Sequence, residues 1–87
     1  MNNYTLEALI SDQGFIHFQH ATLVINSNQD WYISILPTDE KDDFLEPKTQ
    51  LELILETEDG QSFVTKGEYV NDRIDGRAPL LPIYCKG

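Results

Sequence analysis

Apolar and polar residues alternate with a period of two through most of the chain. Gly, Asn, Asp and Pro interrupt this alternation roughly every ten residues, the turn spacing of small all-β domains. Residues 50–57 give the clearest case: Leu51, Leu53 and Leu55 face one way, and Glu52, Ile54 and Glu56 the other. That is a strand with one buried face. Glu58-Asp59-Gly60-Gln61 follows, and an Asp-Gly pair at the centre of a short connection predicts a hairpin whose second strand is 62–70. Gly67 inside that strand marks a bulge or a close approach of another part of the chain. Residues 31–36 alternate in the same way, with Trp31, Ile33 and Ile35 on one face, and Pro37 ends them.

The N-terminal third needs more arbitration. Tyr4, Leu6, Ala8 and Ile10 share a face if 4–10 is extended. Leu, Glu and Ala would also suit a short helix. Ser11-Asp12-Gln13-Gly14 reads as a type I turn with Gly in its last place. A turn leading at once into Phe15-Ile16 makes 4–10 a strand. Residues 15–26 contain no Gly or Pro and are long for one strand. They predict a strand bent near 19–21, or two strands meeting there. Residues 26–30 and 71–76 are turn regions. Residues 37–49 form the longest loop, with room for one helical turn at 40–46 and with Phe44 and Leu45 dipping into the core. The tail, 78–85, is apolar with two prolines, which confine it to an edge strand or an extended lid.

No segment sustains an i, i+3, i+4 apolar stripe, so the chain is all-β. Six or seven short antiparallel strands predict a small, partly open barrel of the SH3-like kind or a compact sandwich. Residues 1–87 are read as a single domain, large enough for one core without metal or disulfide support.

Charge changes the picture. The net charge is −9, unevenly placed. Residues 39–59 carry nine acidic side chains against Lys41 and Lys48, and so hold seven of the nine net negative charges. Direct contact with nucleic acid or an anionic membrane needs basic surface, which this balance excludes. The single cysteine, Cys85, rules out an intrachain disulfide and favours a reducing compartment. The N-terminal residues do not resemble a signal peptide, and no apolar run is long enough to span a bilayer. The expectation is a cytoplasmic protein.

Candidate chemistry is sparse. His17 and His20 lie three apart, so on a regular strand they face opposite sides and do not converge on a metal. Thr38–Glu46 lacks the alternating carboxylates and the glycine of an EF-hand loop. Ser11, Ser27, Ser34 and Ser62 sit in no nucleophile motif, and no glycine-rich phosphate loop occurs. Arg73 and Arg77 read as surface charges offsetting Asp72 and Asp75. No enzyme activity, metal or cofactor is expected.

The acidic stretch therefore carries the functional expectation, beside its plainer use for solubility and for protecting sheet edges. That expectation is a non-catalytic protein-binding domain that meets a basic partner surface, for example an inhibitor or regulator of a nucleic-acid-binding protein. The contact would be made by Asp39, Glu40, Asp42, Asp43, Phe44, Glu46, Glu58 and Asp59. One alternative is a structural or assembly subunit that self-associates through a β edge or the Pro79–Pro82 segment. Another is a small-ligand-binding barrel using His17, His20 or the two arginines.

Overall fold

Eight strands make one antiparallel sheet in the computed structural model, which describes residues 2–39 and 42–83. They are β1 (Asn2–Ser11), β2 (Gly14–Phe15), β3 (Phe18–Ile25), β4 (Trp31–Pro37), β5 (Gln50–Thr57), β6 (Ser62–Val70), β7 (Arg73–Gly76) and β8 (Leu81–Pro82). The order β1-β3-β4-β7-β6-β5 returns to β1 through a β1–β5 ladder, so six strands close a barrel. Strand β2 folds back on the end of β1, and β8 adds to β6. No helix occurs among the described residues.

The turns show why these segments pair. Asn71 and Asp72 both have positive φ, 29° and 63°, the pattern of the hairpin turn whose twist matches antiparallel strands. The backbone N–H of Asp72 donates to the Tyr69 hydroxyl at 3.1 Å, holding the turn against the core. The β5–β6 connection differs from the sequence expectation in one respect. Thr57 pairs with Gln61 across it, so the loop has three residues, and Gly60 takes the positive φ of 91° that closes it. Asp59 and Gly60 are therefore not the two centres of a tight turn.

Three further readings change. Residues 73–76, read as turn, form β7, which joins β4 to β6 and is needed for closure. The segment holds one buried apolar residue, Ile74, too little for a period-two signal. The strands of 15–26 part earlier than 19–21, between β2 and β3, while the irregularity expected near Gln19 is present as a register shift between Phe18 and His20. Residues 42–45 make one turn, with the Leu45 N–H donating to the Asp42 carbonyl, and it does not continue as helix. Residues 40 and 41 lie outside the described residues.

The fourth change matters most for the surface. In the β1–β5 ladder Leu6 pairs with Thr57 but Ala8 pairs with Glu56, so Glu7 is an extra residue on β1. A one-residue slip exchanges the faces of everything beyond it. Leu9 thus turns into the core, 1% exposed, and Ile10 turns out of it. The expectation that Ala8 and Ile10 share the face of Leu6 fails for this reason.

Inside, Leu23, Ile33, Ile74 and Tyr69 are successive cross-strand partners, all buried. Leu51, Leu53 and Leu55 line β5 as the alternation predicts. Leu45 is buried and Phe44 packs against the same cluster, so the long loop is pinned as expected. The chain after β7 crosses to β8, and its Ala78 carbonyl accepts hydrogen bonds from Trp31 Nε1 (2.8 Å) and the Thr65 hydroxyl (3.1 Å). The C-terminal prolines thus belong to a segment laid along the barrel and ending as an edge strand.

Candidate functional site

The acidic residues singled out from the sequence fall in two groups along the chain. Asp39, Asp42, Asp43 and Glu46 lie in the loop that precedes β5, whereas Glu58 and Asp59 lie in the turn that follows it. An eight-residue strand at about 3.3 Å per residue separates these groups by roughly 25 Å. Two of the carboxylates, Asp42 and Asp59, are also committed internally. The Asp42 side chain accepts the His17 backbone N–H at 2.8 Å and meets His17 Nδ1 at 2.8 Å, tying the loop to the β2–β3 bend. Phe44 is half-buried and is not a free anchor. Asp39, Asp43, Glu46 and Glu58 remain exposed, and Glu40 lies outside the described residues.

Asp59 is held by its own turn. The Thr57 hydroxyl donates to one of its carboxylate oxygens and the Gln61 side-chain amide to the other. The Thr57 bond is the main reason its pKa lies below the ordinary carboxylate value, with Gln61 adding to it. A depressed folded-state pKa stabilises above the unfolded value, and the benefit disappears as pH falls through the folded one. Thr57→Val should return the Asp59 pKa toward the ordinary value, and Thr57→Ser should not. Titration of the Asp59 carboxyl carbon by NMR checks this; equal pKa values in the two variants would remove the hydroxyl as the cause.

The other sequence candidates are occupied in plain ways. His20 Nε2 lies 3.2 Å from the Thr22 hydroxyl. Arg73 Nε is 2.6 Å from Asp75, and its guanidinium lies 4.3 Å from the centre of the Tyr32 ring. Arg77 is 3.5 Å from Glu68. Among the described residues no three His, Cys, Asp or Glu side chains are grouped as a metal site. One barrel end opens as a cleft of about 750 Å³ beside Tyr4, Trp31, Phe63 and Arg77, with mixed polar and apolar walls.

The surface feature that the sequence reading missed is apolar. Phe15 pairs with Ile10, Ile10 with Ile54, Ile54 with Val64, and Val64 with Leu81. Directly opposed residues in antiparallel strands share a face. These five side chains therefore form one row across the outside of β2, β1, β5, β6 and β8. Phe15 is 61% exposed, Ile54 38%, Val64 42% and Leu81 60%. Four strand spacings make the row about 19 Å long. Soluble monomers expose single apolar residues routinely, but contiguous apolar surface rimmed by polar groups marks contact sites.

Carboxylates adjoin one end of this row and flank its middle on both sides. The acidic loop adjoins its Phe15 end, because Asp42 binds His17 and the Phe44 ring lies 4.0 Å from where a side chain on Gly14 would begin. Asp12 flanks one side: its backbone N–H donates to the Glu52 carbonyl, and its carboxylate accepts the Glu52 N–H. Glu52 is exposed beside it, with Lys66 opposite on β6. Glu56 lies on the other side, opposite Ala8. Compared with protein family models, with curated proteins and with solved structures, the chain finds no match.

Proposed function

We propose that this domain is a non-catalytic protein-binding module for a partner with a basic surface. The observation that supports this reading is the register-aligned row Phe15–Ile10–Ile54–Val64–Leu81, four of its five side chains exposed, flanked by Asp12, Glu52 and Glu56 against one cation, Lys66. The two parts divide the task. Exposed ion pairs contribute only about 0–1 kcal/mol each, so acids alone make a poor anchor. Apolar contact supplies affinity, at about 25 cal/mol per Å² removed from water. The net charge of −9 speeds approach by a basic partner and disfavours acidic ones. It acts at long range, so it does not require the acids of 39–59 to form one patch. The contact thus centres on the β1–β5–β6–β8 face, with the acidic loop at its margin. A single cysteine and no membrane-spanning helix among the described residues fit a cytoplasmic setting.

Self-association through β8 is the second reading, favoured by the exposure of Leu81 on an edge strand. Like charge on two copies opposes it, and sedimentation at low and high salt separates the two.

The test is site-directed photo-crosslinking in the native host. A benzoylphenylalanine at position 64 lies in the row; one at position 34 lies on exposed β4 surface outside it. The expected result is a discrete adduct from position 64 with a protein of basic surface, absent from position 34 and fading as salt rises. Raising salt from 0.1 M to 1 M shortens the screening length from about 10 Å to about 3 Å. Equal adducts from both positions, or an acidic partner insensitive to salt, would reject the reading.

A further inference from the structure

We infer that the groove beside the apolar row receives a linear segment of the partner, in which a bulky aliphatic side chain adjoins a Lys or Arg. This rests on the reading of the domain as a binder of basic proteins, and it names what that binder recognises. The groove measures about 440 Å³, within the range of roughly 300–1,000 Å³ typical of binding pockets. Ile10, Ile54, Val64 and Leu81 of the row line it, together with Pro79 of the C-terminal segment. Its lining is almost wholly apolar, so the group that fills it is apolar too.

The polar groups of the groove sit together. Asp12, Glu52 and Lys66 line it, and the two backbone hydrogen bonds between Asp12 and Glu52 fix those residues side by side. Two carboxylates against one ammonium leave this part of the groove negative. An occupant whose aliphatic side chain enters the groove meets that charge with its neighbouring residue, and a cation there is favoured over an anion. A second copy of this chain is the poorer occupant, since it brings its own net charge of −9.

Main-chain recognition is closed off. Along the groove β5 is bonded to β1 on one side and β6 on the other, and β6 is bonded to β5 and β8. No backbone edge remains there for strand addition. Among the described residues the outer edge of β8 is two residues long and includes Pro82, which has no N–H to give. The occupant is therefore read through its side chains, and a short peptide suffices as a probe.

The experiment uses the full chain with labelled Ile, Leu and Val methyl groups. The probes are a capped heptapeptide with a central leucine between lysines, its counterpart with glutamates, and the lysine peptide with alanine in place of leucine. The expected result is saturable NMR shifts at the Ile10, Ile54, Val64 and Leu81 methyls with the lysine–leucine peptide. Ile25 and Val70, away from the groove, should stay still. Binding should be about tenfold weaker for the glutamate peptide, about 1.4 kcal/mol, and similarly weaker for the alanine peptide. The pair Asp12→Asn and Glu52→Gln should narrow the lysine–glutamate gap to about threefold, while leaving the leucine–alanine gap intact. Asn at position 12 retains an acceptor for the Glu52 N–H, so the fold is preserved. Shifts outside the groove only, no saturable shift, or equal binding of the lysine and glutamate peptides would overturn the inference. Crosslinking from position 64 with no peptide response would leave the binding function standing and show that a folded partner surface, not a linear segment, is recognised.

Discussion

Leu53→Ala is expected to lower the stability of the domain by about 2–5 kcal/mol, the range for truncating a fully buried leucine. Leu53 is 1% exposed at the centre of β5, opposite Ser11 on β1 and Thr65 on β6. It stands at the junction that closes the barrel. Its Cδ1 would lie 3.3 Å from a Cβ at Gly67, so the packing beneath it is tight and ill-placed to collapse into a void. At roughly 4–8 °C per kcal/mol for a domain of this size, the melting temperature should drop by about 10 °C or more. Its neighbour provides the internal control. Ile54 is 38% exposed and faces outward, so Ile54→Ala should cost under about 1 kcal/mol. The same change should abolish most of the contact with the proposed partner. Urea unfolding of the two variants measures this contrast, and a larger loss at Ile54 than at Leu53 would mean that the two faces of β5 have been exchanged.

That contrast also marks how far the sequence could be read. Within one strand, alternation is a local signal: Leu51, Leu53 and Leu55 inward, Ile54 outward, and Trp31, Ile33 and Ile35 inward all follow from period two. The hairpin turns are local as well, because Gly, Asn and Asp tolerate the backbone angles involved. Relations between distant segments are not local. Closure by β1–β5 brings Ser11 to Leu53, and no property of either residue announces it. The extra residue at Glu7 reverses the second half of β1, and only that reversal brings Ile10 beside Ile54. The apolar row therefore depends on four registers at once. The acidic stretch shows the same limit from the opposite side. It is continuous in sequence, yet β5 passes through its middle and carries Glu46 and Glu58 to opposite ends. Strand β7 escaped notice because four residues with one buried apolar side chain have no periodicity to detect.

Gly76→Ala should cost about 2–3 kcal/mol, although alanine is ordinarily the better residue for an ordered backbone. The cost comes from space. A Cβ at Gly76 would lie 2.5 Å from Trp31 Cε2 and 2.7 Å from Nε1, against the body of the indole ring. Trp31 is 5% exposed and its Nε1 donates to the Ala78 carbonyl at 2.8 Å, so the ring can retreat only toward the adjoining cleft, straining that hydrogen bond. Overpacking of this kind costs about 1–3 kcal/mol, and a strained or broken indole hydrogen bond adds about 1 kcal/mol. Reduced freedom of the unfolded chain returns about 0.4–1 kcal/mol. Trp31 is the only tryptophan, so its fluorescence reports the displacement directly. The emission should move to longer wavelength as the ring is pushed toward water, before any unfolding. Trp31→Leu removes the ring that the new methyl would strike. In that background the penalty for Gly76→Ala should largely vanish, giving a coupling of about 1–3 kcal/mol between the two sites. The outcome that would sink this account is an equal penalty with and without the indole, because the glycine would then be required for its backbone and not for the ring above it.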